Sequence, residues 1–239
     1  PNLIRRVPLF PSAKVQLLVA GQSVTRNLPG AIRRSFGYHR LIKYCVRFKW
    51  TKTTIDSINW DDFSAAFRSC FSQRNFAFKF CYRLLPTGKV LYRRETRYDH
   101  RCPACNAPHE CNHHLFQCPS ISRQRWRHST TSALRKRLDP NTDPVLSDIM
   151  VAGLVSYFQS TPLDRSEFEQ WGPSYLNLIQ LQDTIGWDHF LRGKLSHHWT
   201  ALQQDFEWRT APETKFDSEA WLRLITRPLF TDCLDLWTI

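Results

Sequence analysis

The sequence is short of several things, and each shortage excludes something. Methionine is nearly absent: Met150 is the only one in 239 residues, and the chain opens on Pro1. It closes on Leu236-Trp237-Thr238-Ile239, an apolar stretch without a helix stop. The chain therefore reads as a piece of a longer polypeptide, with any targeting signal outside it. Glycine numbers only 8, and with no internal repeat or low-complexity tract this excludes collagen-like and linker-like chains. No apolar run approaches the roughly 20 residues that a bilayer-spanning helix needs, so no membrane partner is expected.

Acidic residues are scarce in one half only. Residues 1–137 hold 26 Lys/Arg against 6 Asp/Glu, a net +20, whereas residues 138–239 hold 7 against 15, a net −8. The first half is suited to a polyanion and the second is not. A helix lying on an anionic membrane needs a broad exposed apolar face, but these basic residues alternate with aromatics that a core would claim. RNA or DNA is the partner that the pattern favours. Hydrophobic residues make up 42% of the chain, with 9 Trp and 16 Phe, which is enough for the core of one large or two small domains.

The eight cysteines do not form a disulfide pattern. Cys102, Cys105, Cys111 and Cys118 crowd into 17 residues, while Cys45, Cys70, Cys81 and Cys233 stand singly among apolar neighbours. The scattered four read as small buried side chains of a reducing, intracellular compartment, nuclear or cytoplasmic.

Periodicity predicts a mainly α fold, with helical segments around a small zinc knuckle and a short N-terminal β-hairpin. The hairpin is expected at residues 15–25, two β-branched runs about Gly21. Helices are expected over Ala31–Lys49 with a break at Gly37, from Trp60, over Gln73–Leu85 up to the Pro86-Thr87-Gly88 stop, and over Lys89–Arg97. Beyond the cysteines they are expected over Pro119–Leu138, Val145–Phe158, Arg165–Thr184, Ser196–Trp208 and from Ser218 onward. Charge sign and composition change at the breaker 139–144. Three regions result: 1–54, hairpin and helices; 55–138, basic and helical with the knuckle at 102–118; and 139–239, acidic, Trp-rich and helical. Trp171, Trp187, Trp199, Trp208, Trp221 and Trp237 are expected in the core, because they recur within helical apolar patterns.

Residues 102–118 read Cys-Pro-Ala-Cys-Asn-Ala-Pro-His-Glu-Cys-Asn-His-His-Leu-Phe-Gln-Cys. A Cys-x2-Cys pair lets two thiolates reach one ion from a tight turn. His114-x3-Cys118 places an imidazole and a thiolate one helical turn apart on one face. Three sulfurs and a nitrogen form a closed tetrahedral set of the kind that structural Zn²⁺ takes. The preferred ligands are Cys102, Cys105, His114 and Cys118. Cys111 is an alternative to His114, and His109 or His113 to a cysteine, since all lie within a few residues.

The elements Trp60, Phe63, Phe67, Phe80, Leu85-Pro86-Thr87-Gly88, Leu91, Arg94, Cys102-Pro103-Ala104-Cys105, Glu110 and His114-Leu115-Phe116-Gln117-Cys118-Pro119 occur in that order. In this spacing the chain resembles the zinc-binding region downstream of the polymerase in non-LTR retrotransposon reverse transcriptases. The likeness covers about residues 55–128, a third of the chain. Ile185-Gly186-Trp187 and Trp199 with Gln203 look like segments that accompany this knuckle. The resemblance implies a parent RNA-directed DNA polymerase whose upstream polymerase domain is a partner of this piece, and a role in holding RNA or DNA. The paired aspartates of a polymerase strand do not occur here, so the segment itself is not expected to be an enzyme. Asp61 and Asp62 open a helix instead.

Arginine grips phosphate with a bidentate fork and aromatic rings stack on bases. The residues expected to touch nucleic acid are Arg93, Arg94, Arg97, Arg101, Arg123, Arg125, Arg127, Tyr98 and Trp126. For Arg123, Arg125 and Arg127 the reason is that no acid lies near them in sequence. Two other readings compete. Glu213-Thr214-Lys215 fits half of a restriction-like endonuclease motif, without a Pro-Asp partner. A purely structural zinc scaffold that docks the polymerase would touch no nucleic acid.

Overall fold

A computed structural model describes residues 18–19, 22–23, 41–69, 74–94, 99–138, 142–213 and 216–238. Two compact units divide the chain, residues 1–55 and residues 56–239. In the first, β1 (Leu18–Val19) pairs antiparallel with β2 (Gln22–Ser23), with Leu18 opposite Ser23. Helical residues 41–45 run into a 3-10 turn, Val46–Phe48, which Lys49 ends at φ 59°. Cys45 and Trp50 are buried there. The earlier part of the helix expected from Ala31, with its break at Gly37, lies outside the described residues. α1 (Lys52–Ser57) spans the boundary between the units. Its pattern does not announce a helix, because Thr53 and Thr54 are stiff β-branched residues of low helix propensity.

The second unit is built from ten helices among the described residues: α2 (Trp60–Ser69), α3 (Arg74–Cys81), α4 (Gly88–Arg94), α5 (His114–Gln117), α6 (Ile121–Leu138), α7 (Pro144–Gln159), α8 (Pro173–Ile185), α9 (Trp187–Leu191), α10 (His197–Thr210) and α11 (Ser218–Thr238). Their ends follow local chemistry. The Asn59 side-chain oxygen accepts from the Asp62 backbone N–H at 3.1 Å, which caps α2, and the Asn59 side-chain NH2 donates to the Asp62 carboxylate. Asp143 caps α7 by accepting from Val145 N at 2.9 Å, with Pro144 in the first turn, where its missing N–H costs nothing. The helix expected over Arg165–Thr184 is broken in two. A 3-10 turn, Ser166–Trp171, ends at Gly172, whose φ of 97° suits glycine, and Pro173 then starts α8.

α6 lies at the centre, packed on α7 and α11, while α11 also packs on α2. The Trp126 indole N–H donates to the Asp232 carbonyl at 2.6 Å, so helices on the two sides of residues 139–144 share one body even though the charge changes sign there. Phe80 packs edge-on against Phe116 and Phe230, each at 6.0 Å. Trp187 and Phe190 surround Trp199. A Cβ on Gly153 would lie 2.1 Å from the Trp187 ring, so this glycine is the slot that admits the indole. Trp187, Trp199 and Trp221 are buried as expected. Trp171 and Trp208 are not, at 53% and 74% exposed, because the break at Gly172 turns the first of them outward and the second stands near the free end of α10. No helix among the described residues is long and apolar enough to cross a membrane.

The core also holds charge. Residues 187–196 are all buried, Asp188, His189, Arg192 and Lys194 among them. Arg192 donates to the Phe80 carbonyl at 3.1 Å and to Asp188 Oδ2 at 3.0 Å, and its guanidinium lies over the rings of Phe80 and Phe116. Lys194 Nζ donates to the Cys81 carbonyl at 3.1 Å. Phe80 and Cys81 close α3, so both cations sit at the negative end of that helix and satisfy carbonyls left without a partner within it. Arg83 reaches the same Asp188 carboxylate.

Candidate metal centre

The Cys-Pro-Ala-Cys segment is bent into a tight turn by two backbone bonds, Cys102 N–H to the Ala107 carbonyl at 2.9 Å and Asn106 N–H to the Cys102 carbonyl at 2.8 Å. Asn106 takes φ 58°, a left-handed conformation that asparagine tolerates. Glu110, 7% exposed, ties this turn to α4: its carboxylate accepts from Gly88 N at 2.7 Å and its carbonyl from Lys89 N at 2.9 Å. Gly88 is required by the close approach, since a Cβ there would meet the His100 carbonyl at 2.9 Å. On the other side α5 presents His114, with Cys118 just beyond its end. Leu115 and Phe116 of the same turn are buried and anchor it.

These elements bring together the side chains of Cys102, Cys105, His114 and Cys118, whose ligand atoms all lie within 4.8 Å of one another. Cys102 Sγ stands 3.8 Å from Cys118 Sγ, and Cys105 Sγ 3.2 Å from His114 Nε2. The four donors are close enough to hold one metal ion, and they are the preferred set read from the spacing. The alternatives are engaged elsewhere. Cys111 Sγ accepts from the His114 backbone N–H at 3.4 Å at the start of α5, His109 stacks on His100, and His113 turns toward Tyr157.

The electrostatics suit a cation. Burial pushes the Cys102 thiol up to about 11, so its thiolate form needs a positive partner. Burial also lowers His114, leaving a neutral imidazole, the form that ligates metal. Burial pushes Cys118 up as well, but hydrogen bonds from Ser120 and the neighbouring thiols outweigh it and bring that thiol below its usual value. Metal binding at such a set displaces thiol protons.

The expected nucleic-acid contacts divide sharply. Arg93, Arg94 and Arg125 are exposed. Arg101 is exposed and pairs with Asp99 at 3.7 Å. Arg97 and Tyr98 lie outside the described residues. Arg123 and Trp126 are buried rather than exposed as expected and Arg127 is half-buried, and all three donate to backbone carbonyls. Arg123, 5% exposed, donates to the Leu236 carbonyl at 2.5 Å. Arg127 donates to the carbonyls of Phe116 and Cys118, both at 2.8 Å. Trp126 is buried, 7% exposed. The absence of a nearby acid misled because the partners are backbone carbonyls at helix ends. A signal was present in the spacing: Arg123 lies three residues before Trp126, on the stripe that continues through Thr130, Leu134 and Leu138, all buried. Arg127 holds the carbonyl of Cys118, one of the four clustered donors. Of the endonuclease half-motif, Glu213 is exposed in a turn after α10 and Lys215 lies outside the described residues.

No protein-family model, curated protein or solved structure matches this chain.

Proposed function

We propose that this chain is a nucleic-acid-holding segment built around a structural Zn²⁺ site, from a polypeptide resembling the non-LTR retrotransposon reverse transcriptases. The observation that carries this reading is the convergence of three sulfurs and one imidazole within 4.8 Å, in the order Cys-x2-Cys…His-x3-Cys, inside a sequence half of net +20. A tetrahedron with metal–sulfur distances of about 2.3 Å and metal–nitrogen of about 2.0 Å has edges of roughly 3.5–3.8 Å, the scale of the donor separations, and a sulfur-rich closed set favours Zn²⁺ over Mg²⁺ or Ca²⁺. Four protein ligands leave no position for a reactive water, so the ion serves folding and the segment has no catalytic role of its own. The bound ion would tie the turn at Cys102 to α5 and thereby hold the basic helices on either side.

A second reading, a zinc scaffold that docks an upstream polymerase domain without touching nucleic acid, is favoured by the inward use of Arg123, Arg127 and Trp126. One experiment separates the two. Zinc-loaded protein is titrated into fluorescent RNA and DNA across a salt series. Binding that weakens linearly with log salt supports the first reading. No binding to any nucleic acid at low salt leaves the scaffold.

A further inference from the structure

We infer that the solvent face of α6, from Arg125 to Lys136, is where a duplex backbone docks; this rests on the nucleic-acid reading and locates its contact. α6 contains six cations and no acid in 18 residues. Packing sorts the cations. Arg123 and Arg127 donate to internal carbonyls. Arg135 pairs with Asp148 at 2.6 Å, and Arg137 approaches Asp232 at 3.7 Å. Arg125 and Lys136 are exposed and make no ion pair among the described residues. α7 and α11 cover the inner sides of the helix, so its remaining face is a shallow groove lined by Gln124, Arg125, His128, Ser129, Ser132, Ala133 and Lys136.

The chemistry of that face selects a phosphate backbone. Its two free cations are eleven residues apart, about 16 Å along a helix, enough to reach phosphates on both sides of a groove about 12 Å wide. Between them stand Ser129, Ser132 and Ala133, two of them with hydroxyls able to donate to phosphate oxygens, and the imidazole of His128. Single strands are gripped by stacking their bases on aromatic side chains. Here the indole of α6 is buried, and the only ring on the outer face is the imidazole of His128. The face therefore suits a duplex, held without base readout.

The test uses zinc-loaded full-length chain and fluorescence anisotropy with a 20-base-pair DNA duplex and its separate strands, in KCl from low to moderate concentration. The duplex is expected to bind more tightly than either strand. Arg125→Gln with Lys136→Gln should flatten the log–log salt slope by about 2 units and, by that slope, weaken duplex binding roughly fiftyfold at 0.1 M salt. Arg135→Gln, whose charge is already paired, should leave the slope unchanged. Ser132→Glu, a carboxylate placed in the middle of the face, should weaken binding without changing helicity or metal content. Wild-type binding with an unchanged slope in the double variant, or a loss found only in Arg93→Gln with Arg94→Gln, overturns this location and leaves the nucleic-acid reading standing. Tighter binding to the single strands overturns the duplex assignment. A wild-type chain that binds none of the probes overturns both.

Discussion

Two polar regions meet at the ring of Phe116, and they are held in opposite ways. The cysteine turn and α5 converge four donors from 17 residues of chain on one point. The segment Trp187–Ser196 sends its charged side chains outward to other elements: the Arg192 cation to the end of α3, and the Asp188 carboxylate to Arg83 across more than a hundred residues. The first is a local device in which four neighbouring side chains are placed so that they could share one metal ion. The second is a long-range one, in which buried charge is tolerated because it completes a helix end and an ion pair together. The second device links α3 to α5, since Arg192 covers Phe80 and Phe116 alike, whereas the first joins the Cys102 turn to α5. The comparison teaches that a helical body with modest helices can gather its polar groups either around one point fit for an ion or as cations donating to helix-terminal carbonyls.

The largest effect should come from breaking the first device. Cys118→Ser is expected to abolish stoichiometric zinc, while Cys111→Ser retains it; elemental analysis of the purified proteins checks both. Structural zinc in small fingers supplies roughly 10–16 kcal/mol to folding, but here α6, α7 and α11 have a core of their own. The loss should therefore show as fast amide exchange confined to about residues 99–119, with the remaining helices protected. Unfolding of the entire second unit would mean that the ion supports more than its own turn.

Breaking the second device comes next. Arg192→Ala removes the bonds to the Phe80 and Asp188 carbonyls and leaves the buried Asp188 carboxylate with Arg83 but without its closest buried cation, a cost of about 3–5 kcal/mol, read from the urea midpoint. The same region should make the fold acid-sensitive. Burial pushes His189 down to about 2, below the ordinary 6.5. The unfolded chain then binds a proton that the folded chain refuses, and stability falls as pH drops below about 6.5. Asp188 is pushed up by burial, but Arg192, His189 and Arg83 outweigh this and hold it below the usual carboxylate value of 3.8, so its contribution is present above that pH and is lost further down. Burial also lowers Lys194 to about 8, below 10.5, so stability should rise between those two values. Urea midpoints of wild type and His189→Leu across pH 4–8 test the His189 part. A parallel fall in both proteins would remove it from the account.

A smaller effect sharpens the link between the devices. Arg127→Met keeps the bulk of the side chain but removes its bonds to the Phe116 and Cys118 carbonyls. Loss of an outer-shell partner typically costs about 10–100-fold in metal affinity, measurable by competition with a chromophoric chelator. Arg125→Met, on the outer face of the same helix, should leave that affinity unchanged. The smallest predicted change is steric: Gly153→Ala presses a methyl into the Trp187 ring and should cost about 1–3 kcal/mol of stability, with zinc binding untouched.

The local device was readable along the chain. A Cys-x2-Cys turn and a His-x3-Cys helical turn bring their side chains together whatever surrounds them, so Cys102, Cys105, His114 and Cys118 could be named from spacing. The long apolar-periodic helices were readable for the same reason: α6, α7, α10 and α11 begin and end within about two residues of their expected bounds. The Gly172-Pro173 break is present in the letters but masked by an apolar pattern that continues on both sides of it.

What the sequence by itself determined is therefore whatever depends on near neighbours: helix periods, the set of four donors that cluster, and the charge contrast between +20 and −8. The tertiary structure alone decided which charges are available to a partner. Arg123, Arg127, Arg192 and Lys194 look like surface residues in the sequence. They are drawn inward because a helix end offers carbonyls without intrahelical partners, and which cation meets which helix end is set by packing between segments up to 113 residues apart.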